Sequence, residues 1–163
     1  MSKATPAREG TETREIFMQV IADVLERFAF LFVEADEDKQ ILQFADDFLH
    51  ASITFSGNQM GILTVSSPVT LCREMAANVL GISSEDASQG DAEDALKELV
   101  NIIFGTLTPQ LFGDREVFDL TEPRLYQIDR GKWRELVADR ENIRLWIEDK
   151  PILFNLALAP GNW

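Results

Sequence analysis

The chain has 163 residues, a length that suits one domain, and its hydrophobic fraction of 45% is ordinary for a globular protein. Its 15 basic and 28 acidic residues give a net charge of −13. Nucleic acids and anionic membrane surfaces bind clustered Lys and Arg, so the excess of acidic residues in this chain disfavours both as partners. No apolar run approaches the roughly 20 residues that cross a bilayer. We therefore expect a cytoplasmic protein that binds no nucleic acid, does not insert into a membrane, and has a protein or small-molecule partner.

The rarest residue types argue against metal and disulfide chemistry. Cys72 is the only cysteine, so it forms no internal disulfide, and its apolar neighbours predict a buried, inert thiol. His50 is the only histidine and opens a predicted strand, where we expect a structural role. The glycine-rich motifs that bind nucleotides are absent from the sequence. These features predict no metal site and no cofactor on this chain.

The first half of the chain predicts a helix, a hairpin and a second helix. Residues 1–12 are polar and are predicted to form a flexible tail, which leaves residues 13–163 as a single domain. From Thr13 to about Glu34, apolar residues recur at the spacing of a helix with one buried face. Strands at 48–55 and 62–65 are joined by a short link with Gly and Asn, which is typical of a hairpin. Pro68 then opens a helix with Gly81 as its C-cap, and its predicted core face is Leu71, Met75, Val79 and Leu80.

The second half predicts a long helix followed by strands. The helix runs from about Asp91 to Phe112, and a strand near Glu116–Leu120 follows. A short helix near Lys132–Ala138 precedes two final strands, 142–147 and 152–159, joined by a turn. The predicted order is α-ββ-α-α-β-(α)-ββ. This order indicates an α+β, or mixed α/β, domain with a mainly antiparallel sheet packed against long helices.

The third helix has two distinct faces. Its core stripe is Ala92, Leu96, Leu99, Ile103 and Leu107. Steps of four, three, four and three residues place a second line on another face, namely Asp94, Glu98, Asn101, Gly105 and Thr108. This second line is either an ordinary solvated face or a docking face that presents a carboxylate and a carboxamide to a partner.

Two residues in the same helix are poor helix formers. A proline ring clashes with the carbonyl four residues earlier, so Pro109 predicts that the helix kinks or ends near Gly105. A glycine inside a helix costs about 1 kcal/mol relative to alanine. Gly105 therefore marks a helix break, tight packing beneath the helix, or the close approach of a partner.

The spacing Asp94-x3-Glu98-x2-Asn101-x21-Pro123 resembles the signature of the CheC/CheX/FliY family of chemotaxis phosphatases. The segment from Gly61 to Gly81 and the order of elements are also similar to this family, and the chain is most like CheX because only one site is evident. The first helix has Ala29 where a second site would have an asparagine. The resemblance implies a CheC-like fold and a homodimer.

The resemblance also implies a function and roles for the site residues. Family members dephosphorylate the phospho-aspartate of a response regulator such as CheY, which itself holds the Mg²⁺. Asn101 would position the attacking water, because a carboxamide offers one acceptor and two donor hydrogens on a short stem. Glu98 would pair with a lysine of the partner. Asp94, Gly105 and Pro123 would contribute to binding. Asp94 would either contact the rim of the partner or act only as a favourable charge near the helix N-terminus, and Pro123 would shape a loop beside the site.

Two other functions are compatible with the same residues. In the first alternative, the domain is a binding module that recognises a response regulator or a flagellar-switch component without catalysis. Alternatively, it would be a structural dimer domain that uses the architecture without binding any receiver domain.

Overall fold

The computed structural model describes residues 10–34 and 46–160. Within them the helices are α1 (Gly10–Ala29), α2 (Val69–Leu80), α3 (Gln89–Phe112) and α4 (Arg130–Ala138). The strands are β1 (Val33–Glu34), β2 (Phe48–Ser56), β3 (Gly61–Pro68), β4 (Asp119–Leu120), β5 (Arg124–Ile128), β6 (Ile143–Ile147) and β7 (Lys150–Leu158). This arrangement confirms the predicted α+β class.

All strand pairs in the described sheet are antiparallel. The strand order is β1-β6-β7-β3-β2-β4, and β5 pairs with β2 on the same edge as β4. The predicted hairpin is confirmed, since Phe48 pairs with Pro68 at one end of β2 and Phe55 with Gly61 at the other. The last two predicted strands also form a hairpin, in which Ile147 pairs with Lys150.

The sheet packs α1, α2 and α3 against one face and α4 against the other. Alternate residues of β2, from Leu49 to Phe55, join the large core beneath the three long helices. Phe48 points to the opposite face, where its ring stacks on Trp133 of α4 with the centroids 4.2 Å apart. Both faces of the sheet therefore bury apolar residues, and the larger core lies on the side of α3.

Two short strands were not predicted. The first is β1, in the region where the first helix was expected to continue to Glu34. The helix instead ends at Ala29 because Phe30 adopts a left-handed backbone with φ of 55°. The second is β5. One strand was predicted near Glu116–Leu120, whereas the structure has the short strand β4 there and then β5.

Helices α1 and α2 differ from the predictions at two further points and agree at a third. Helix α1 begins at Gly10, so residues 10–12 of the predicted tail are helical, and the tail residues 1–9 lie outside the described residues. Gly81 is the left-handed C-cap of α2, as predicted. Val79 and Leu80 were wrongly assigned to the core, because the last turn of α2 lies at the surface and leaves both side chains about half exposed.

Cys72 is buried in the core, and His50 is half-buried in the sheet. Burial raises the pKa of the Cys72 thiol to about 12, so the thiol is protonated and inert, as predicted. His50 lies in β2, and its Nδ1 is 2.6 Å from the hydroxyl of the buried Ser66. Burial lowers the pKa of His50 below its ordinary value of 6.5, and the nearby charge of Lys132 lowers it further.

Gly61 is a position where the sheet tolerates no side chain. A Cβ atom there would lie 2.6 Å from Cζ of Phe55 and 2.7 Å from the carbonyl oxygen of Ala157. We expect Gly61→Ala to destabilise the protein by about 2 kcal/mol in urea unfolding, because backbone and a buried ring must both move. Gly90→Ala is the matched control, since its Cβ would meet only the Ser88 hydroxyl at 3.7 Å. Equal stability of the two variants would contradict this close approach.

The pKa of His50 makes stability depend on pH. Because the folded pKa lies below 6.5, the unfolded chain binds the proton first as the pH falls. The contribution of neutral His50 to the unfolding free energy is therefore fully present above pH 6.5. It is lost as the pH falls from 6.5 through the pKa of His50 in the folded protein. We expect the wild type to lose more unfolding free energy than His50→Gln between pH 7.5 and 5.5, measured by urea unfolding. An equal loss in both proteins would exclude His50 as the cause.

Candidate active site

The helix that carries the candidate site begins with a complete capping box. The Ser88 hydroxyl accepts a hydrogen bond from the Asp91 backbone N–H at 3.0 Å, and the Asp91 carboxylate accepts one from the Ser88 N–H at 3.0 Å. This exchange satisfies two backbone donors that a helix start otherwise leaves unpaired. It fixes the first turn of α3 two residues before the predicted start.

The predicted core stripe of α3 is confirmed, because its five residues are all buried. The opposite side carries four exposed residues, which we call the α3 ridge: Asp94, Glu98, Asn101 and Gly105. Thr108 was wrongly placed on this line. It is buried, and its hydroxyl donates to the Phe104 carbonyl at 3.0 Å, as Thr does in helix interiors.

Glu98 and Asn101 are the two ridge residues with no partner in the described chain. Neither side chain makes a hydrogen bond or ion pair with any residue of 10–34 or 46–160. They lie three residues apart, so both point to the same side of the helix. Asp94 differs, since its carboxylate lies 3.4 Å from the Lys97 ammonium in an exposed ion pair of little energetic value. The ridge therefore offers one unpaired carboxylate and one unpaired carboxamide to an incoming surface.

Gly105 leaves open space on the ridge. A Cβ atom built on this residue would meet nothing within 4 Å. Tight packing beneath Gly105 is therefore not the reason for this glycine within the described chain. Helix α3 also does not end at Gly105 but continues through Pro109 to Phe112.

A cluster of four phenylalanines holds the second half of α3 against the sheet. The ring of Phe104 lies 5.0 Å from that of Phe55 on β2 and 6.0 Å from that of Phe118. Phe118 also contacts Phe112, with ring centroids 5.4 Å apart. Aromatic pairs at these distances add stabilisation beyond their buried area. The cluster joins the second half of α3 to β2 through side-chain contacts.

Pro123 does not lie on the ridge. It is half-buried in the connection between β4 and β5, at the edge of the sheet over which α3 packs. The structure therefore brings Asp94, Glu98, Asn101 and Gly105 together on one helix and places Pro123 in the separate connection between β4 and β5.

Helix α1 has no equivalent pair of side chains. Glu26 is exposed, but Ala29 is fully buried and its carbonyl accepts a hydrogen bond from Nδ2 of Asn78 at 2.7 Å. The described chain therefore presents a single Glu and Asn pair at this spacing.

The ridge is the exposed side of a helix. Its residues line neither the groove around Arg14 and Arg140 nor the groove around Asp46 and Asp129. Small molecules are usually bound in concave sites, so an exposed helix face is better suited to a protein partner. In residues 10–34 and 46–160, no group of three or more His, Cys, Asp or Glu side chains could hold a metal ion. None of the helices described is both long enough and apolar enough to cross a membrane.

Sequence reasoning missed two features that support the site. The first is the capping box, where the Ser88-x-x-Asp91 spacing is the signal that was available. The second is the packing of Phe118 on the other three phenylalanines. Phe118 was assigned to the predicted strand near Glu116–Leu120 and was given no contact with α3. No local pattern indicates that Phe118 contacts Phe55, since the contact joins residues far apart in sequence.

Comparison with solved structures finds the same fold in several bacteria. The chemotaxis protein CheX from Desulfovibrio desulfuricans is 17% identical, with a TM-score of 0.65 over 91% of this chain and 99% of that one. A complex of CheX with CheY, BeF3 and Mg²⁺ from Borrelia burgdorferi contains a chain that is 17% identical, with a TM-score of 0.59 over 91% and 98%. FliY from Thermotoga maritima is 16% identical, with a TM-score of 0.58 over 98% and 93%. At these identities the likeness concerns the fold.

The family assignment rests on the sequence match. The family model for the chemotaxis phosphatase CheX matches residues 49–141, which is more than half of the chain and includes all of α3 and Pro123. A search of curated proteins found no match. The chain belongs to the family of the chemotaxis phosphatase CheX.

Proposed function

We propose that this protein hydrolyses the aspartyl phosphate of a CheY-like response regulator. The observation that carries the proposal is the pair of exposed, unpartnered side chains Glu98 and Asn101 on one face of a helix in a CheX-family chain. The complex of a related CheX with CheY supports a receiver domain as the partner. The partner would hold the phosphorylated aspartate, the Mg²⁺ and a lysine, so this chain needs no metal of its own.

An aspartyl phosphate is an acyl phosphate and is already reactive. Phosphoryl transfer of this kind depends mainly on positioning and on electrostatic stabilisation rather than on covalent help from the enzyme. The component to be supplied is a water molecule held in line with the bond between phosphorus and the aspartate oxygen. A rigid polar side chain that protrudes from its own molecule can place that water in the partner's site.

Asn101 is suited to that role by its chemistry and its environment. Its side chain is exposed and has no partner in the described chain, so its acceptor and both donor hydrogens remain available. A carboxamide is not a base at neutral pH, so Asn101 would act by orienting the water rather than by removing its proton. Fixing such a geometry can lower a reaction barrier by several kcal/mol.

Glu98 would anchor the ridge in the partner's site. It lies one helical turn before Asn101 on the same side of α3, so its carboxylate would face the same partner surface and could pair with a lysine there. Docking removes water from the pair, which makes it stronger and more specific than an exposed ion pair. Asp94 would contact the rim of the partner through its exposed carboxylate, and Pro123 would shape the neighbouring loop.

The second candidate is a binding module that docks on the same partner without catalysis. Pro109 favours it, because a proline inside α3 removes a backbone hydrogen bond within two and a half turns of the Glu98 and Asn101 pair. The two functions differ in one measurable result. A phosphatase accelerates the decay of the phosphorylated regulator, whereas a binding module leaves the decay unchanged.

We also propose a homodimer, as the family resemblance implies. The described sheet ends in β1 at one edge and in β4 and β5 at the other. An unpaired strand edge can add a strand from a second copy, so either edge supports the proposal.

Asn101→Ala tests the catalytic role. We expect partner binding to be retained and kcat to fall by about 100-fold, because a positioning group that acts in the transition state typically contributes that much. The measurement is the decay of the phosphorylated cognate receiver domain, prepared with acetyl phosphate, with and without each protein. Gln110→Ala is the matched control, since Gln110 is exposed on α3 away from the ridge. Equal rates for wild type and Asn101→Ala would contradict the role of Asn101.

Glu98→Gln tests the docking role. It removes the charge while keeping the shape, so we expect the Kd for the receiver domain to rise by about 10-fold and the rate to fall. The wild-type Kd should weaken with added salt more steeply than the Kd of the variant, because salt screens charge pairing. Calorimetric titrations at two salt concentrations measure both effects. The same salt dependence in the two proteins would show that Glu98 forms no ion pair with the partner.

A further inference from the structure

Helices α1 and α2, with the residues that follow them, expose five large apolar side chains. Phe30 and Phe32 are 68% and 65% exposed, and the three side chains at the end of α2 are between 41% and 54% exposed. We call the five together the end patch: Phe30, Phe32, Val79, Leu80 and Ile82. One exposed apolar side chain is ordinary on a protein surface, whereas several neighbouring ones usually mark a place where another molecule binds.

A hydrogen bond joins the two helix ends, so the end patch is one region of the surface. Nδ2 of Asn78 on α2 donates to the carbonyl oxygen of Ala29, the last residue of α1, at 2.7 Å. Phe30 follows Ala29 in the chain, and Val79 follows Asn78. Every residue of the patch lies within four residues of this hydrogen bond along the chain. The bond therefore holds the two parts of the patch together.

Phe30 occupies a backbone conformation that suits glycine. Its φ is 55°, in the left-handed region, and its N–H donates to the Glu26 carbonyl at 3.1 Å in a bond that closes the helix. Gly81 has the equivalent place after α2, with φ of 69°. A side chain strains this conformation because its Cβ atom lies too close to a carbonyl oxygen. Glycine at residue 30 would therefore close α1 with less strain than phenylalanine.

The side chain of Phe30 adds little to the stability of the fold. It lies mostly in solvent, whereas the next residue, Leu31, is buried in the core. The left-handed turn therefore serves to bring Leu31 into the core, and glycine can make the same turn. A residue that strains the backbone and exposes its ring is typical of a binding surface, where proteins give up stability for function.

Acidic groups outnumber basic ones around the end patch. Glu26 and Arg27 lie in the last turn of α1, and Glu85 and Asp86 lie in the loop that follows Ile82. All four are exposed, and none forms an ion pair with another described residue. A second copy of the chain would bring the same excess of acidic groups against the patch and would be repelled. A surface that carries Lys or Arg would be attracted.

We infer that the end patch binds an amphipathic helix of another protein, whose apolar stripe is flanked by Lys or Arg. Such a helix presents its apolar side chains as one continuous stripe, which the five side chains of the patch would cover. The acidic groups around the patch would pair with the flanking basic residues. The end patch shares no residue with the α3 ridge, so this inference goes beyond the proposed function and does not rest on it.

Phe30→Gly separates binding from folding. We expect a Tm about 3 °C higher, because the backbone strain is removed. The probe is a synthetic amphipathic peptide of about 15 residues with Leu on one face and Lys on the other. In calorimetric titration we expect its Kd to rise by about 10-fold in Phe30→Gly. An unchanged Kd, a lower Tm, or a wild type that does not bind the peptide would overturn the inference.

A variant on α2 and a matched control test whether the whole patch takes part. Leu80→Ser should also weaken the binding of the Leu and Lys peptide by about 10-fold, because Leu80 belongs to the other helix end. Val117→Ser should leave the Kd unchanged, since Val117 is an exposed apolar residue in the connection between α3 and β4. Equal effects of Leu80→Ser and Val117→Ser would show unspecific binding and overturn the inference.

A second peptide, with Glu in place of every Lys, tests the charge of the partner. We expect the wild type not to bind it, and Glu85→Gln to weaken the binding of the Lys peptide by about three-fold. Equal affinity for the two peptides would overturn the basic partner. Sedimentation of the wild type and of Phe30→Gly adds a further check. A wild-type dimer that dissociates in Phe30→Gly would show that a second copy covers the patch, which also overturns the inference.

The decay of the phosphorylated receiver domain distinguishes this inference from the proposed function. We expect Phe30→Gly to dephosphorylate the receiver at the wild-type rate, because the patch is separate from the ridge. Loss of that activity in a folded Phe30→Gly protein would assign the patch to the receiver interface and overturn the inference. A wild type that binds the Lys peptide through the patch but does not act on the receiver would support this inference and contradict the proposed function.

Discussion

The burial of one face of α3 is the constraint on which the site depends. Leu96, Leu99 and Ile103 are fully buried, and exposing such a side chain costs about 2 kcal/mol each. The helix therefore cannot rotate without losing its core contacts. The rings of Phe104 and Phe112 add a second set of contacts through Phe118. With one face held in this way, the opposite face can carry polar groups that have no role in folding.

Much of this arrangement was predictable from local patterns. The spacing of apolar residues identified α3 and its buried stripe, and the exposed positions of Glu98 and Asn101 followed from the same period. The Gly- and Asn-containing link identified the hairpin of β2 and β3. These predictions succeeded because each depends on residues close together in sequence, whose faces are set by helix or strand geometry.

The predictions that failed depend on single backbone angles or on distant contacts. The end of α1 is set by the left-handed conformation of Phe30. Glycine is the usual residue in that conformation, so a phenylalanine there gives no signal in the sequence. Thr108 has a polar side chain but is buried, because its hydroxyl bonds to the helix backbone. Pro109 predicted a kink or an end near Gly105, but α3 does not end there and continues to Phe112, as the apolar spacing predicted.

The most direct test of the central claim is a crystal structure of this protein bound to its receiver domain loaded with BeF3 and Mg²⁺. We expect the Asn101 carboxamide to lie within about 3 Å of a water molecule in line with the bond from beryllium to the aspartate oxygen. Glu98 should contact a lysine of the receiver in the same complex. An Asn101 side chain that lies outside the interface, or points away from the aspartate, would contradict the claim.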